Sequence, residues 1–318
     1  MTRALVTGAA GQLGSELVPA LRARYGEQAV LATDIREIST SGPSARLDCT
    51  DRKAFARLVD EHRPDVVFHL VALLSAKGEE NPQRAWQINM GCLESALEVA
   101  RQAGCALFVP SSIAAFGPST PPDPTPQDTL QRPTSIYGVT KVAGELLCDY
   151  YAQRYGLDVR GVRYPGLISW AAEPGGGTTD YAVDIFYGAL QDDRYTCFLS
   201  ADTQLDMMYM PDAVRAAIEL MAAPATHLEH RNAFNVTAMQ LTPELLTTEI
   251  RRHRPGFEID YRIDPVRQAI ADSWPRRLDD SAARRQWGWQ HRYDLAAMTR
   301  DMLENLSRKL GLATVPSD

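Results

Sequence analysis

The stretch ALVTGAAGQLG at residues 4–14 constrains the fold more than any other, because a short apolar run meets Gly8, Gly11 and Gly14 at three-residue spacing. Glycine permits a tight strand-to-helix turn, lets backbone approach a pyrophosphate and allows the helix to pack closely on the strand. Free N–H groups and the dipole at the start of the following helix favour phosphate there. Such a loop means little alone, since small residues at any strand–helix turn imitate it. In this chain a strand precedes it, a helix is predicted over Gln12 to Tyr25, and the next strand, Ala29 to Asp34, ends in a carboxylate. That spacing puts Asp34 on the hydroxyls of an adenosine ribose. A carboxylate there repels a 2′-phosphate, so NAD is expected over NADP, although Arg36 could meet such a phosphate. Asp48, after a short strand near Arg46 to Asp48, is expected at the adenine or, nearly as well, at the opening of the next helix.

The same rhythm continues to about Val162. Asp51 opens a helix, Asp65 to Leu70 is a buried strand, Gln83 to Ala103 a helix, Ala106 to Pro110 a strand, Ser135 to Tyr155 a helix and Val159 to Arg163 a strand. Apolar strands alternating with helices predict an α/β fold, a doubly wound parallel sheet of Rossmann type, over residues 1–165. Residues 166–318 are expected mainly as a smaller α/β substrate domain, interleaved with the last strands and helices of the first. Six prolines between Pro118 and Pro133 predict a long surface loop. Lys77 to Asn81 is expected to be a loop that closes over substrate together with Gly175 to Gly177.

Lys and Arg total 33 against 40 Asp and Glu, a net charge of −7 without a basic block, which argues against nucleic acid or an anionic membrane as partner. The apolar run Val66 to Leu74 is too short to span a bilayer, and no export signal is visible. Five scattered cysteines without a C-x-x-C pair predict buried, reduced thiols in a cytoplasmic protein. His227 and His230 are expected to be solvated, and no metal site is predicted.

The strand ending FVPSS brings Ser111 and Ser112 to the edge where such sheets bind ligands. Then comes YGVTK, with Tyr137 and Lys141 one helical turn apart on one face. A tyrosine hydroxyl titrates near pH 10 when unperturbed, so a phenolate base at neutral pH needs neighbouring positive charge. Lys141 and a cationic nicotinamide supply it, and Ser112 hydrogen-bonds the reacting oxygen. Further on, PGGGTTDYAV sets Thr178, Thr179 and Asp180 at a helix start, an arrangement suited to a zwitterion. Thr179 or Asp180 could equally cap the helix. Trp274 is expected to shield the pocket, and Trp287 and Trp289 to lie in the core.

Together these motifs resemble the extended short-chain dehydrogenase/reductases over essentially the whole chain. The resemblance implies that Tyr137 is the acid/base and that Lys141 also holds the nicotinamide ribose. It further implies cofactor contacts at Gln12, Leu13, Leu70, Asn89 in QINMGCLE and Tyr164 in RYPG. GGGTTDYAV, WP…DDSAAR…WGW and LLSAKGEENP are similar to the short-chain-type L-threonine 3-dehydrogenases. That similarity implies metal-independent oxidation of L-threonine by NAD to 2-amino-3-oxobutanoate, which can decarboxylate to aminoacetone. It also implies substrate contacts at Ser75, Ser112, Tyr137, Thr178 and Asp180, and a homodimer through the helices carrying Asn89 and Tyr137. A UDP-hexose 4-epimerase would share the triad but needs cations for a second pyrophosphate, for which Arg251, Arg252 and Arg254 are candidates. A dehydratase would need carboxylates beside Ser112, where the sequence has Ile113 and Ala114. A non-catalytic dinucleotide sensor would have no reason to keep the triad.

Overall fold

The computed structural model describes residues 2–312. The first half contains β1 (Ala4–Thr7), α1 (Gln12–Tyr25), β2 (Val30–Asp34), β3 (Ser44–Arg46), α2 (Arg52–His62), β4 (Val66–His69), α3 (Ser75–Glu80), α4 (Pro82–Ala103), β5 (Ala106–Phe108), β6 (Ser111–Ser112), α5 (Ile136–Tyr155), β7 (Val159–Arg160) and β8 (Val162–Tyr164). Six parallel strands run in the order β3-β2-β1-β4-β5-β7, the doubly wound arrangement with β1 at its centre. Strands β1, β2 and β4 are buried along their whole length, which is why they read as unbroken apolar runs. Local chemistry sets the helix ends. Asp51 accepts from Ala54 N at 3.0 Å to cap α2, Asn81 caps α4 ahead of Pro82, and Ser135 accepts from Gly138 N at 3.1 Å to cap α5.

Two predicted strands turn out to be broken, and at the same level. The run Ala106 to Pro110 ends β5 at Phe108, because Pro110 has no N–H for the ladder. The run Val159 to Arg163 divides at Gly161, where a Cβ would stand 2.0 Å from the Val109 carbonyl oxygen. Beyond these breaks β6 and β8 leave the main sheet and form a second one with β12 (Phe234–Asn235). The division brings Ser111 and Ser112 to the sheet edge as a separate step. Lys77 is not in a loop: Ser75–Glu80 is the helix α3, and Asn81 is the cap of the next.

The second half contributes β9 (Gly166–Ile168), α6 (Tyr181–Gln191), β10 (Arg194–Cys197), β11 (Leu205–Tyr209), α7 (Met210–Ala222), β12, β13 (Met239–Leu241), α8 (Pro243–His253), β14 (Glu258–Tyr261), α9 (Pro265–Asp272), α10 (Ser281–Trp287) and α11 (Leu295–Leu310). Strands β13-β11-β9 form one small sheet and β10-β14 another. This half returns to the first: β12 joins β8, and Ala217 of α7 and Trp289 share a core with Leu17 and Leu21 of α1. The proline-rich segment is not merely a surface loop. Thr120, Thr125 and Gln127 are buried, and Gln127 accepts from Asn235 N at 2.8 Å and donates to Ala233 O at 2.9 Å. His230 is likewise held rather than solvated, within 3.1 Å of Asp128 Oδ2 and 2.9 Å of Gln286 Nε2.

Glu16 of α1 joins the two halves through the hydroxyl of Ser169, which donates to its carboxylate. Burial pushes the Glu16 carboxyl up to about 7, helped by Asp301 and opposed by the Ser169 bond. The folded state therefore holds a proton that the unfolded chain releases near pH 4.5, and stability falls as pH rises from there to about 7. Glu16→Gln keeps the acceptor for Ser169 and removes the penalty. It should stabilise the protein by about 3 kcal/mol at pH 8 and by almost nothing at pH 4.5, as thermal unfolding at the two pH values will show.

Candidate active site

A cavity of about 220 Å³ runs from the glycine loop to Trp274. At its first end Gly8 has φ +72°, and a Cβ on Gly14 would stand 2.4 Å from the Gly8 carbonyl oxygen, so both positions require glycine. Gly11 begins α1 with no side-chain cap, leaving the first helix N–H groups for an anion. Gln12, Leu13 and Leu70 line the same end, and Gln12 Nε2 is buried without a hydrogen-bond partner. These observations fit a dinucleotide whose pyrophosphate lies on the loop.

Asp34 is almost buried beside the loop, accepting from Ala10 N and Arg36 N, each at 3.0 Å. A carboxylate has about four acceptor sites, so these two bonds and a longer one from Arg36 Nε at 3.3 Å still leave room for a ribose hydroxyl. Arg36 is tied back to Asp34 and, at 2.7 Å, to the Ala10 carbonyl. Asp34→Ala should raise the KM for NAD about tenfold and weaken rejection of NADP, read from initial rates with both dinucleotides. Asp48 is exposed outside the cavity wall, where its carboxylate accepts from Thr50 N and Oγ1 and is held below the usual carboxylate range by those bonds.

At the centre stand Ser112, Tyr137 and Lys141. Ser112 ends β6, and its Oγ accepts from Ala114 N at 3.2 Å, so the residue also caps a short turn. Lys141 Nζ donates to Pro110 O at 2.7 Å and lies 5.3 Å from the centre of the Tyr137 ring. His69, behind Lys141, is fully buried and held to Thr7 Oγ1 at 2.9 Å. Its burial, and then the Lys141 charge, push its pKa down to about 3, so His69 is neutral. Tyr164 lines the cavity with its hydroxyl turned away, donating to Ala213 O at 2.6 Å. Asn89 lies outside the cavity wall. It accepts from Leu73 N at 2.7 Å and donates to Thr140 Oγ1 at 3.1 Å, fixing the strand end against α5.

The far end is built by Ser75, Thr178 and Asp180, all buried. The Ser75 and Thr178 hydroxyls are 3.3 Å apart. Asp180 makes no capping bond; its Oδ2 accepts from Gly176 N at 2.8 Å and Gly177 N at 2.7 Å. Oδ1 has no protein donor among the described residues. Burial raises the Asp180 carboxyl, against those two N–H groups and the charges of Arg267 and Lys77. Trp274 lines this end.

Sequence reasoning missed Glu145, one further turn along the face of Tyr137 and Lys141. It is buried, forms an ion pair with Arg163 at 2.8 Å and accepts the Ser111 hydroxyl. The available signal was Arg163 itself, a charge in an otherwise apolar strand that needs a partner when buried.

The fold and site define a dinucleotide-dependent oxidoreductase with a Ser-Tyr-Lys centre. The model of the NAD dependent epimerase/dehydratase family matches residues 4–237, and the chain belongs to that family, whose cofactor is NAD. An uncharacterized epimerase/dehydratase of Staphylococcus saprophyticus is 52% identical, covering 97% of this chain and 98% of its own. The L-threonine dehydrogenase of Clostridium difficile superposes with a TM-score of 0.95 at 52% identity, over 97% of this chain and 98% of that one. A GalE-like L-threonine dehydrogenase from Cupriavidus necator, in its holo form, gives 0.93 at 51% identity over 96% and 99% of the two chains. No described helix is long and apolar enough to cross a membrane.

Proposed function

We propose that the protein oxidises the β-hydroxyl of L-threonine to 2-amino-3-oxobutanoate with NAD. The observation that carries this reading is the Asp180 carboxylate, anchored by one oxygen and open at the other, sharing a small cavity with Ser112, Tyr137 and Lys141. Its open oxygen suits the substrate ammonium. The Ser75 and Thr178 hydroxyls and the start of α6 suit the carboxylate. Bound NAD supplies the hydride acceptor. Tyr137 takes the hydroxyl proton as the C3–H bond breaks, Ser112 donates to the forming carbonyl oxygen, and Lys141 keeps positive charge beside the phenolic oxygen.

The residues weigh against the alternatives. Asp180 is the only carboxylate in the described cavity wall, which leaves a dehydratase without its acid pair. Arg252 and Arg254 are engaged with Glu249 and Asp193, and Arg251 with the Phe257 carbonyl, away from the cavity that an epimerase would need to charge. Exposed Trp86, Val139, Leu146 and Tyr150 on α4 and α5 support a homodimer through those helices, and buried free thiols at all five cysteines support a cytoplasmic site of action.

Chelator-treated protein should make NADH from NAD and L-threonine, and far less NADPH from NADP. UDP-glucose formed from UDP-galactose, with no NADH from threonine, would replace the threonine reading by the epimerase one.

A further inference from the structure

Two cavities meet at one side chain. Trp274, just beyond α9, lines both the reaction cavity and a larger one of about 610 Å³. The larger cavity lies between the proline-rich segment and α9, and its exposed wall residues Pro118, Asp202, Asp272 and Arg276 open it to solvent.

Access to the reaction cavity is the problem this arrangement answers. One end is the glycine loop, which the dinucleotide takes. At the other end Ser75, Thr178, Asp180 and Trp274 are buried, with Leu74 and Thr179 half-buried beside them. Of these only Trp274 also lines the larger cavity, so an amino acid entering from there passes its ring. The Trp274 backbone is fixed, its N–H bonded to Ala271 O at 3.1 Å as the last turn of α9. Its indole N–H has no hydrogen-bond partner among the described residues, so swinging the ring aside breaks no hydrogen bond.

We propose that the larger cavity is a vestibule in which an α-amino acid is first held as its zwitterion, and from which it passes Trp274 to reach Tyr137 and Ser112. The proposal rests on the amino-acid substrate argued above and adds a second site for it. The charges in the wall fit. Arg276 offers a guanidinium with no ion-pair partner among the described residues, Asp202 is likewise unpaired, and Asp272 accepts only the Gln268 amide at 2.8 Å. One cation and two carboxylates in one wall suit an ammonium and a carboxylate on one small molecule, and would repel a second pyrophosphate. Exposed charges hold a ligand weakly, as transit requires.

The five native cysteines are buried, so an introduced surface thiol can be labelled selectively. Pro118→Cys, at an exposed wall position outside the charged set, carrying a maleimide–polyethylene glycol chain should lose at least fivefold in kcat/KM for L-threonine relative to the same protein unlabelled. Its affinity for NADH, read by fluorescence titration, should stay within twofold. The same chain on Lys53→Cys, on exposed α2, should change neither. A fall of less than fivefold at complete modification overturns the vestibule, as does an equal loss of NADH affinity. If unlabelled protein makes no NADH from threonine, the functional reading itself fails and the vestibule with it. The two failures are thus distinguished by whether activity is missing before labelling or survives it.

Discussion

Tyr137→Phe should lower kcat about a thousandfold while leaving the affinity for NADH within a few-fold of the original. General acid–base groups contribute roughly 10²–10⁴ to rate, and of the two tyrosines in the cavity wall Tyr137 lies beside half-buried Lys141 while the Tyr164 hydroxyl is turned away to Ala213 O. The substitution removes one oxygen and keeps the ring that walls the cavity, with Lys141 Nζ 5.3 Å from its centre. Packing is preserved, since the tyrosine is only 9% exposed and its ring sits in the apolar cluster of Ile113, Phe116 and Tyr181. A loss confined to kcat, with NADH titration unchanged, separates removal of the proton acceptor from loss of the binding site. Loss of NADH affinity in parallel would instead assign Tyr137 to cofactor binding.

The parts of this site that were legible in the sequence are those encoded by short-range geometry. The glycine loop, Asp34 at the next strand end, and Tyr137 with Lys141 each depend on residues within one turn or one βαβ unit. Elements that depend on distant partners were not legible. The break at Gly161 reflects the Val109 carbonyl opposite it, which no local pattern announces. Strands β9, β12 and β13 have two or three residues each, too few to show a period of two. Helix α3 is six residues long with Gly78 inside, so it reads as a loop. The structural role of Asn89 also depended on partners distant in the chain, since it fixes Leu73 and Thr140 outside the cavity wall. Asp180, by contrast, is held by the glycine turn just before it, within reach of local reading.

Glu145→Gln should destabilise the protein by about 3–5 kcal/mol, measured as a lower midpoint in urea unfolding, and should also reduce kcat. The cost arises because Arg163, 8% exposed, would remain charged in the interior without its counter-ion. The neutral amide keeps one acceptor oxygen, which can serve at most two of the four donors that now share the carboxylate: Arg163 Nε at 2.9 Å and Nη2 at 2.8 Å, Gln131 Nε2 at 2.7 Å, and the Ser111 hydroxyl. Its own NH₂ then faces further donors, and at least one buried polar group is left unsatisfied. Arg163 cannot recover its losses elsewhere, because its remaining nitrogen already serves Gln127 O and Asn235 Oδ1, and its plane lies 5.0 Å from the Phe116 ring. The effect on rate follows from chain continuity: Ser111 precedes Ser112, and the hydroxyl that Glu145 accepts fixes that step of backbone above Lys141. A variant that loses stability while retaining full kcat at low temperature would assign the pair to stability alone. Loss of both would show that the ion pair behind the site holds Ser112 in register with Tyr137.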